Sequence, residues 1–294
     1  MRALIYYIFF SLNWLITLLP LRVLYLFSYP FYILAAWFPG YRKKLIMKNL
    51  MNSFPDKDKK ELRKIRRKFY IHLADMIIES LKLQHLDKKQ LKKRYHINNP
   101  EILNRLLEEG RSSITVLGHY ANWEWNAIIQ EYTQYRFLAV YKPLSNKYFD
   151  SFLYNLRSRL GITLVAMQDT LRAFIGYRDK GICTSTMLIG DQTPARKEIK
   201  YWTRFLNHDT PVYMGIEKMA RKYDLAVLYF KIDKIKRGYY TIDIEILTED
   251  PLSLKENELT EMHVRRLEEQ IFEKPELWLW SHNRWKYKKK SGND

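Results

Sequence analysis

The chain has one cysteine, Cys183, so it cannot form an internal disulfide, which suits a reducing compartment. Cys183 lies in an apolar run, where a lone thiol ordinarily packs; a nucleophilic role is the minor alternative. The phosphate-cradling loop G-x4-G-K-[ST], the dinucleotide fingerprint G-x-G-x-x-G, the nucleophile elbow G-x-S-x-G and the zinc motif H-E-x-x-H are all missing. Nucleotide-dependent chemistry and an acyl-serine route therefore have no support in the sequence. His72, His85, His96, His208, His263 and His282 are not spaced with a second His or a Cys as zinc ligands would be, so no metal is expected. Zinc-finger and RNA-recognition signatures are absent, as are internal repeats and low-complexity linkers. Acidic residues are in short supply, 32 against 50 Lys plus Arg, leaving a net charge of +18 in 294 residues.

That excess predicts an anionic partner: nucleic acid, an anionic membrane surface or a phosphorylated substrate. Basic clusters stand at Arg42–Lys44, Lys57–Lys68, Lys88–Arg94 and Lys286–Lys290. The first closely follows an apolar stretch, as juxtamembrane clusters do. Ala3–Pro20 carries no charge, and as a helix it would extend about 27 Å. Arg22 interrupts, and Val23–Phe38 is again uncharged with Pro30 in its middle. The region is longer than a signal-peptide core and has no clear cleavage site. Residues 1–40 are thus expected to form an apolar membrane anchor or interfacial segment. Residues 41–294 would form the globular part, on the cytoplasmic side favoured by Arg42–Lys44.

Asp56–Leu83 reads as one long amphipathic helix, with Leu62, Ile65, Phe69, Leu73, Met76 and Ile77 at helical spacing. From Ser112 onward, apolar strand-like runs alternate with helix-like stretches. The runs are Ile114–Leu117, Phe137–Tyr141, Ile162–Ala166, Ile182–Leu188, Ala226–Phe230 and Tyr240–Ile246. The helices are expected at Trp123–Tyr135, Lys147–Leu160, Thr170–Tyr177, Val212–Tyr223 and Leu259–Glu273. Such alternation predicts an α/β fold, a sheet layered with helices.

The most informative segment is Ser112–Ala127. A strand-like run ends in Gly118-His119, and Glu124 follows at H-x4-E spacing near the start of a helix that Asn122 can cap. An imidazole at a strand's carboxyl end with a carboxylate one short turn away is a pattern used for a base and the group that orients it. Three further stretches close strands or enter helices: Tyr141-Lys142-Pro143, Gly190-Asp191-Gln192 and the polar loop Phe205–Pro211. Each alone reads as a turn; together, after strands, they suggest a common cleft. Near the end, Lys274–Lys286 packs three Trp and several cations, which suits a core plug or a membrane-interface belt.

These blocks in order resemble the late acyltransferases of lipid A biosynthesis, within the wider lysophospholipid acyltransferase-like superfamily. The resemblance runs over nearly the whole chain. It rests on the apolar N-terminus, Asn49-Leu50 with Phe54-Pro55, Gly118-His119 with Asn122-Trp123-Glu124, Tyr141-Lys142-Pro143, Asp191-Gln192, the 205–211 loop and Pro275-Glu276-x-Trp278-Leu279-Trp280-x-His282-x-Arg284-Trp285-Lys286. It implies a central mixed sheet flanked by helices, as in glycerolipid acyltransferases, behind an N-terminal membrane segment. It implies an O-acyltransferase of the bacterial inner membrane, its catalytic domain facing the cytoplasm. The acyl chain would pass from an acyl-carrier-protein thioester to a hydroxyl of a membrane glycolipid, without cofactor, metal, acyl-enzyme or nucleic acid. In this reading His119 is the general base and Glu124 holds its imidazole. Lys142, Asp191 and Arg284 bind or orient substrate, Lys142 through a phosphate. The chain departs from many relatives at Tyr120 (Phe there), Lys142 (Arg there) and Leu206-Asn207 (Phe-Gly there); these positions bear on the acceptor and not on the reaction class. Other amphipathic acceptors (an aminolipid, a lysophospholipid, a pigment) and a non-catalytic anionic-lipid binder stand as alternatives.

Overall fold

The computed structural model describes residues 2–37 and 40–289; Phe38 and Lys290, which end two of the segments above, lie outside it. Two apolar helices come first, α1 (Arg2–Ile16) and α2 (Leu21–Trp37). At 1.5 Å per residue they reach about 22 and 26 Å, short of a hydrocarbon core of about 30 Å. Among the described residues no helix is long and apolar enough to cross a membrane. Both helices dock on the globular part by one side. Tyr6 and Phe9 of α1 meet Tyr148, Phe149 and Phe152, while Leu21, Leu24 and Tyr25 of α2 are buried. Their other sides leave Ile5, Ile8, Leu12, Leu15, Leu26, Ile33 and Leu34 exposed.

After α3 (Lys43–Ser53) comes α4 (Lys59–Lys82), started by a capping box in which Asp58 accepts from the backbone N–H of Glu61 and Glu61 accepts from that of Asp58. Its buried stripe contains the expected Leu62, Phe69 and Met76, but also His72, Asp75 and Glu79. The helix is therefore more than an apolar face laid on a core.

A short helix α5 (Lys88–Lys92), strand β1 (Tyr95–Ile97) and helix α6 (Glu101–Glu108) lead to the alternating part. There the order is β2 (Ser113–Leu117), a 3-10 helix (Trp123–Glu131), β3 (Arg136–Tyr141), α7 (Lys147–Ser158), β4 (Thr163–Ala166), α8 (Thr170–Arg178) and β5 (Thr184–Ile189). Next are β6 (Tyr201–Phe205), β7 (His208–Val212), α9 (Gly215–Tyr223), β8 (Ala226–Lys236), β9 (Tyr239–Thr248) and α10 (Glu258–Glu273). Seven strands form one mixed sheet in the order β1-β9-β8-β2-β5-β3-β4, with β8 and β9 antiparallel and every other pair parallel. The α/β layering expected from the sequence is what forms. Two expectations need correction. The stretch 205–211 is not a loop entering a helix but the tip of the separate β6–β7 hairpin. Leu206 and Asn207 both have positive φ, as a two-residue hairpin turn with the right twist requires, and Asn tolerates that region. The segment after Asn122 is 3-10 rather than α-helical.

Two buried imidazoles give the fold a pH dependence. His72 donates from Nε2 to the Ala121 carbonyl at 3.2 Å and faces the Lys234 ammonium through Nδ1 at 3.2 Å, so it has to be neutral. Burial, with Lys234 adding to it, pushes its pKa down to about 3; burial brings His263 down to about 4. The unfolded chain binds these protons near pH 6.5, the folded chain does not, and so stability falls as pH drops from about 6.5 towards 4. Urea midpoints measured between pH 7 and 4.5 should decline, and His263→Leu should flatten the decline. A midpoint with the same pH slope in both proteins would contradict this.

Candidate active site

The register of the sheet builds the site. β2 and β5 are parallel neighbours with Leu117 opposite Ile189. Two residues beyond each strand end, at the same level, stand His119 and Asp191. Carboxyl ends of adjacent parallel strands are where an open α/β sheet gathers its functional groups. His119 donates from Nδ1 to Asp191 Oδ1 at 2.6 Å, and its backbone N–H donates to Oδ2 at 2.9 Å. Trp278 Nε1 donates to the same Oδ2 at 2.8 Å. Burial alone would raise the Asp191 carboxyl, but the charge of His119, its two hydrogen bonds and that of Trp278 outweigh it and bring the pKa down to about 2. With Nδ1 committed as donor, Nε2 is left as the basic nitrogen, and the Gln192 amide nitrogen lies 3.2 Å from it.

Gly118 sits tightly here: a Cβ on it would come within 2.5 Å of Leu267 Cδ1, so the Leu267 side chain would have to shift to admit one. Beyond His119 the chain bends through Ala121 at φ 51°, a left-handed conformation. That bend is held from both sides: Ala121 N–H donates to the Leu277 carbonyl at 3.0 Å and its carbonyl accepts from His72. Asn122 then caps the 3-10 helix by accepting from Trp125 N–H at 3.2 Å.

Glu124 does not touch the imidazole. Arg157 of α7 grips its carboxylate bidentately, Nε to Oε2 at 2.7 Å and Nη2 to Oε1 at 2.6 Å. The expectation that Glu124 orients His119 is thereby corrected: a strand register brings Asp191 to Nδ1, whereas the turn after Ala121 carries Glu124 toward α7. Asp191, read from the sequence as structural or substrate-orienting, is the imidazole's partner.

His119, Glu124 and Lys142 do share one cavity of about 810 Å³, within the roughly 300–1,000 Å³ of ligand pockets. Its lining is mainly apolar, with Trp123, Leu153, Leu164, Met187, Ile216 and Met219 among the contributors. Arg284, expected to bind substrate, is not in it. Its side chain is buried behind Asp191, where Nη2 donates to the Pro211 carbonyl at 2.7 Å and burial lowers its pKa to about 10. Cys183 packs at the core edge and does not line the cavity.

The Trp-rich end is a plug for the core that also braces the site. Trp278 and Trp280 are buried, Leu279 N–H donates to the His119 carbonyl at 3.1 Å, and Tyr120 bridges to Trp278. Asn49 of α3 donates to the carbonyls of Trp280 and His282 at 3.1 and 3.2 Å, which accounts for the early Asn-Leu pair.

Over residues 1–287 the sequence matches the family of bacterial lipid A biosynthesis acyltransferases. The chain belongs to this family. Membership makes it an acyltransferase, with acyl transfer to a lipid as its activity class. No curated protein sequence matches it. Among solved structures it is similar to the 1-acyl-sn-glycerophosphate acyltransferase PlsC of Thermotoga maritima, at 15% identity over 88% of this chain and 97% of that one, with a TM-score of 0.40.

Sequence reasoning missed two groups of the acyltransferase cavity. Arg157 gave no signal beyond being a cation on a helix. His282 was visible in the C-terminal block but had no role; it lines the cavity, and burial holds its pKa down to about 4, so it is neutral at ordinary pH.

Proposed function

We propose that the protein transfers an acyl chain from an acyl-carrier-protein thioester to a hydroxyl of a phosphorylated, already acylated glucosamine lipid, a precursor of lipid A. The observation that carries the chemistry is the His119–Asp191 pair opening on a large, mainly apolar cavity. His119 Nε2 takes the proton of the acceptor hydroxyl as its oxygen attacks the thioester carbonyl. The tetrahedral intermediate collapses, the C–S bond breaks, and the imidazolium returns the proton to the departing thiolate. Asp191 keeps the ring in the productive tautomer and stabilises the imidazolium. No covalent acyl-enzyme is needed. The apolar lining suits the transferred chain, and Lys142 suits an anionic group of donor or acceptor.

An acidic carrier protein would be drawn to a surface of charge +18. The outward apolar sides of α1 and α2, followed by Arg42–Lys44, favour attachment to the bacterial inner membrane from its cytoplasmic face by lying in the interface. Deleting both helices would strip Leu24 and Tyr25 from the core, so the better test is on their exposed side. Ile8→Ser with Leu12→Ser and Leu15→Ser should weaken binding to anionic vesicles at unchanged urea midpoint. Unchanged vesicle binding would place the attachment elsewhere.

The substrate assignment is tested by pairing purified enzyme with acyl-carrier-protein or coenzyme A thioesters and with a lipid A precursor or a lysophospholipid. Turnover is expected with the carrier thioester and the lipid A precursor. Efficient transfer to the lysophospholipid alone would defeat the acceptor and leave the reaction class.

A further inference from the structure

Helix α4 buries a carboxylate that the proton transfers above do not use. Glu79 is fully buried, with its side chain hydrogen-bonded to three different elements. Tyr25 of α2 donates to Oε1 at 2.6 Å, while Tyr240 of β9 and Asn122 each donate to Oε2 at 2.7 Å. The Glu79 backbone carbonyl also accepts from Trp125 Nε1 at 3.0 Å. Among the described residues Glu79 forms no salt bridge. A buried carboxylate without an ion pair is expensive, and apolar residues of similar volume usually pack as well or better. Its placement points to a task other than holding the core together.

The task is legible in what it grips. Asn122 uses both ends of its amide, Nδ2 on Glu79 and Oδ1 on the N–H of Trp125, so Glu79 holds the end of the amide that the cap leaves free. Two helical turns earlier, His72 fixes Ala121, the residue with left-handed backbone. One face of α4 therefore holds Ala121 and Asn122, two of the three residues between His119 and the cavity-lining Trp123.

We propose that Glu79 is a positioning residue for acyl transfer: by anchoring Asn122 it sets the turn that aims His119 into the cavity, and through Tyr25 it makes α2 part of that support. This rests on the reading of His119 as the general base. Misplacing a catalytic group by about 1 Å can lower the rate about 100-fold, so the geometry of this turn has ample leverage.

The test uses the full chain with the carrier thioester and the lipid A precursor, measuring kcat, KM, far-UV circular dichroism and urea midpoints. Glu79→Gln is expected to lower kcat by about 10- to 100-fold with KM within about twofold. Asn122→Asp should lose more, since it sets two carboxylates face to face. The double variant E79Q/N122D should recover to within about fivefold of wild type, because the amide introduced at 79 donates to the carboxylate introduced at 122, which still caps Trp125. Tyr240→Phe, which removes a bond to the same carboxylate away from the turn, should lower the urea midpoint but kcat by less than about threefold. If E79Q fails to fold, Asn122→Ser keeps a capping group and severs only the tie to Glu79, and it should show the same kcat loss. The proposal is overturned by a kcat within twofold of wild type in E79Q or N122S, by equal kcat losses in Y240F and E79Q, or by a folded double variant that does not recover. His119→Ala runs alongside. If it retains turnover, the general-base reading has failed; if it is inactive while E79Q is fully active, only the positioning role has.

Discussion

Replacing His119 with alanine should remove acyl transfer almost entirely while leaving the protein folded. General-base catalysis is worth about 10²–10⁴-fold, and Gln192, the other group at Nε2, cannot accept a proton at neutral pH. The fold should survive because the imidazole projects into the cavity and its backbone bonds, N–H to Asp191 and carbonyl from Leu279, do not depend on the side chain. Initial rates with the carrier thioester, set beside circular dichroism and urea midpoints, decide it. A folded variant with near-normal kcat would mean that another group, with His282 in the same cavity the first to consider, removes the proton.

The second large effect separates the two carboxylates. Asp191→Asn should lower kcat by about 10²–10⁴-fold, because an amide no longer enforces Nδ1–H and the imidazole can turn its unprotonated nitrogen away from the cavity. Glu124→Gln acts through a different partner. Its bidentate pair with Arg157 lies in the cavity wall, and its loss leaves a guanidinium unpaired there. A double-mutant cycle distinguishes the arrangements. Glu124→Gln and Arg157→Gln should be strongly non-additive, whereas Glu124→Gln and Asp191→Asn should combine almost independently in kcat. Strong coupling between positions 124 and 191, with none between 124 and 157, would restore Glu124 as the partner of the imidazole.

Much of this molecule is legible in one dimension because its signals are local. The alternation of apolar runs with 3.6-period stretches located β2, β3, β5, α7, α8 and α10 to within a few residues. Asp58 and Asn122 act as helix caps through contacts two or three residues away. The weak points were also local. Residues 205–211 carry enough polar groups to look like a loop, and only pairing with Tyr201–Phe205 makes them a hairpin. Strand β1 has three residues, too few for a periodic signal, and exists because β9 lies beside it.

By itself the sequence determined the α/β class, the position of His119 after a strand, and the apolar N-terminus followed by a basic cluster, since each follows from side-chain periodicity, turn chemistry or charge within a short window. Tertiary structure alone decided which carboxylate pairs with the His119 imidazole. His119 and Asp191 are 72 positions apart and meet because β2 and β5 pair in register, whereas Glu124, five positions away, is turned by the bend at Ala121 toward Arg157. It also decided that Arg284 is buried away from the cavity, with Nη2 on the Pro211 carbonyl, and that the buried side of α4 holds the turn after His119. Spacing along a chain limits which groups are able to meet; which of them do is set by strand register and packing, where hydrogen-bond geometry and desolvation act between residues far apart in sequence.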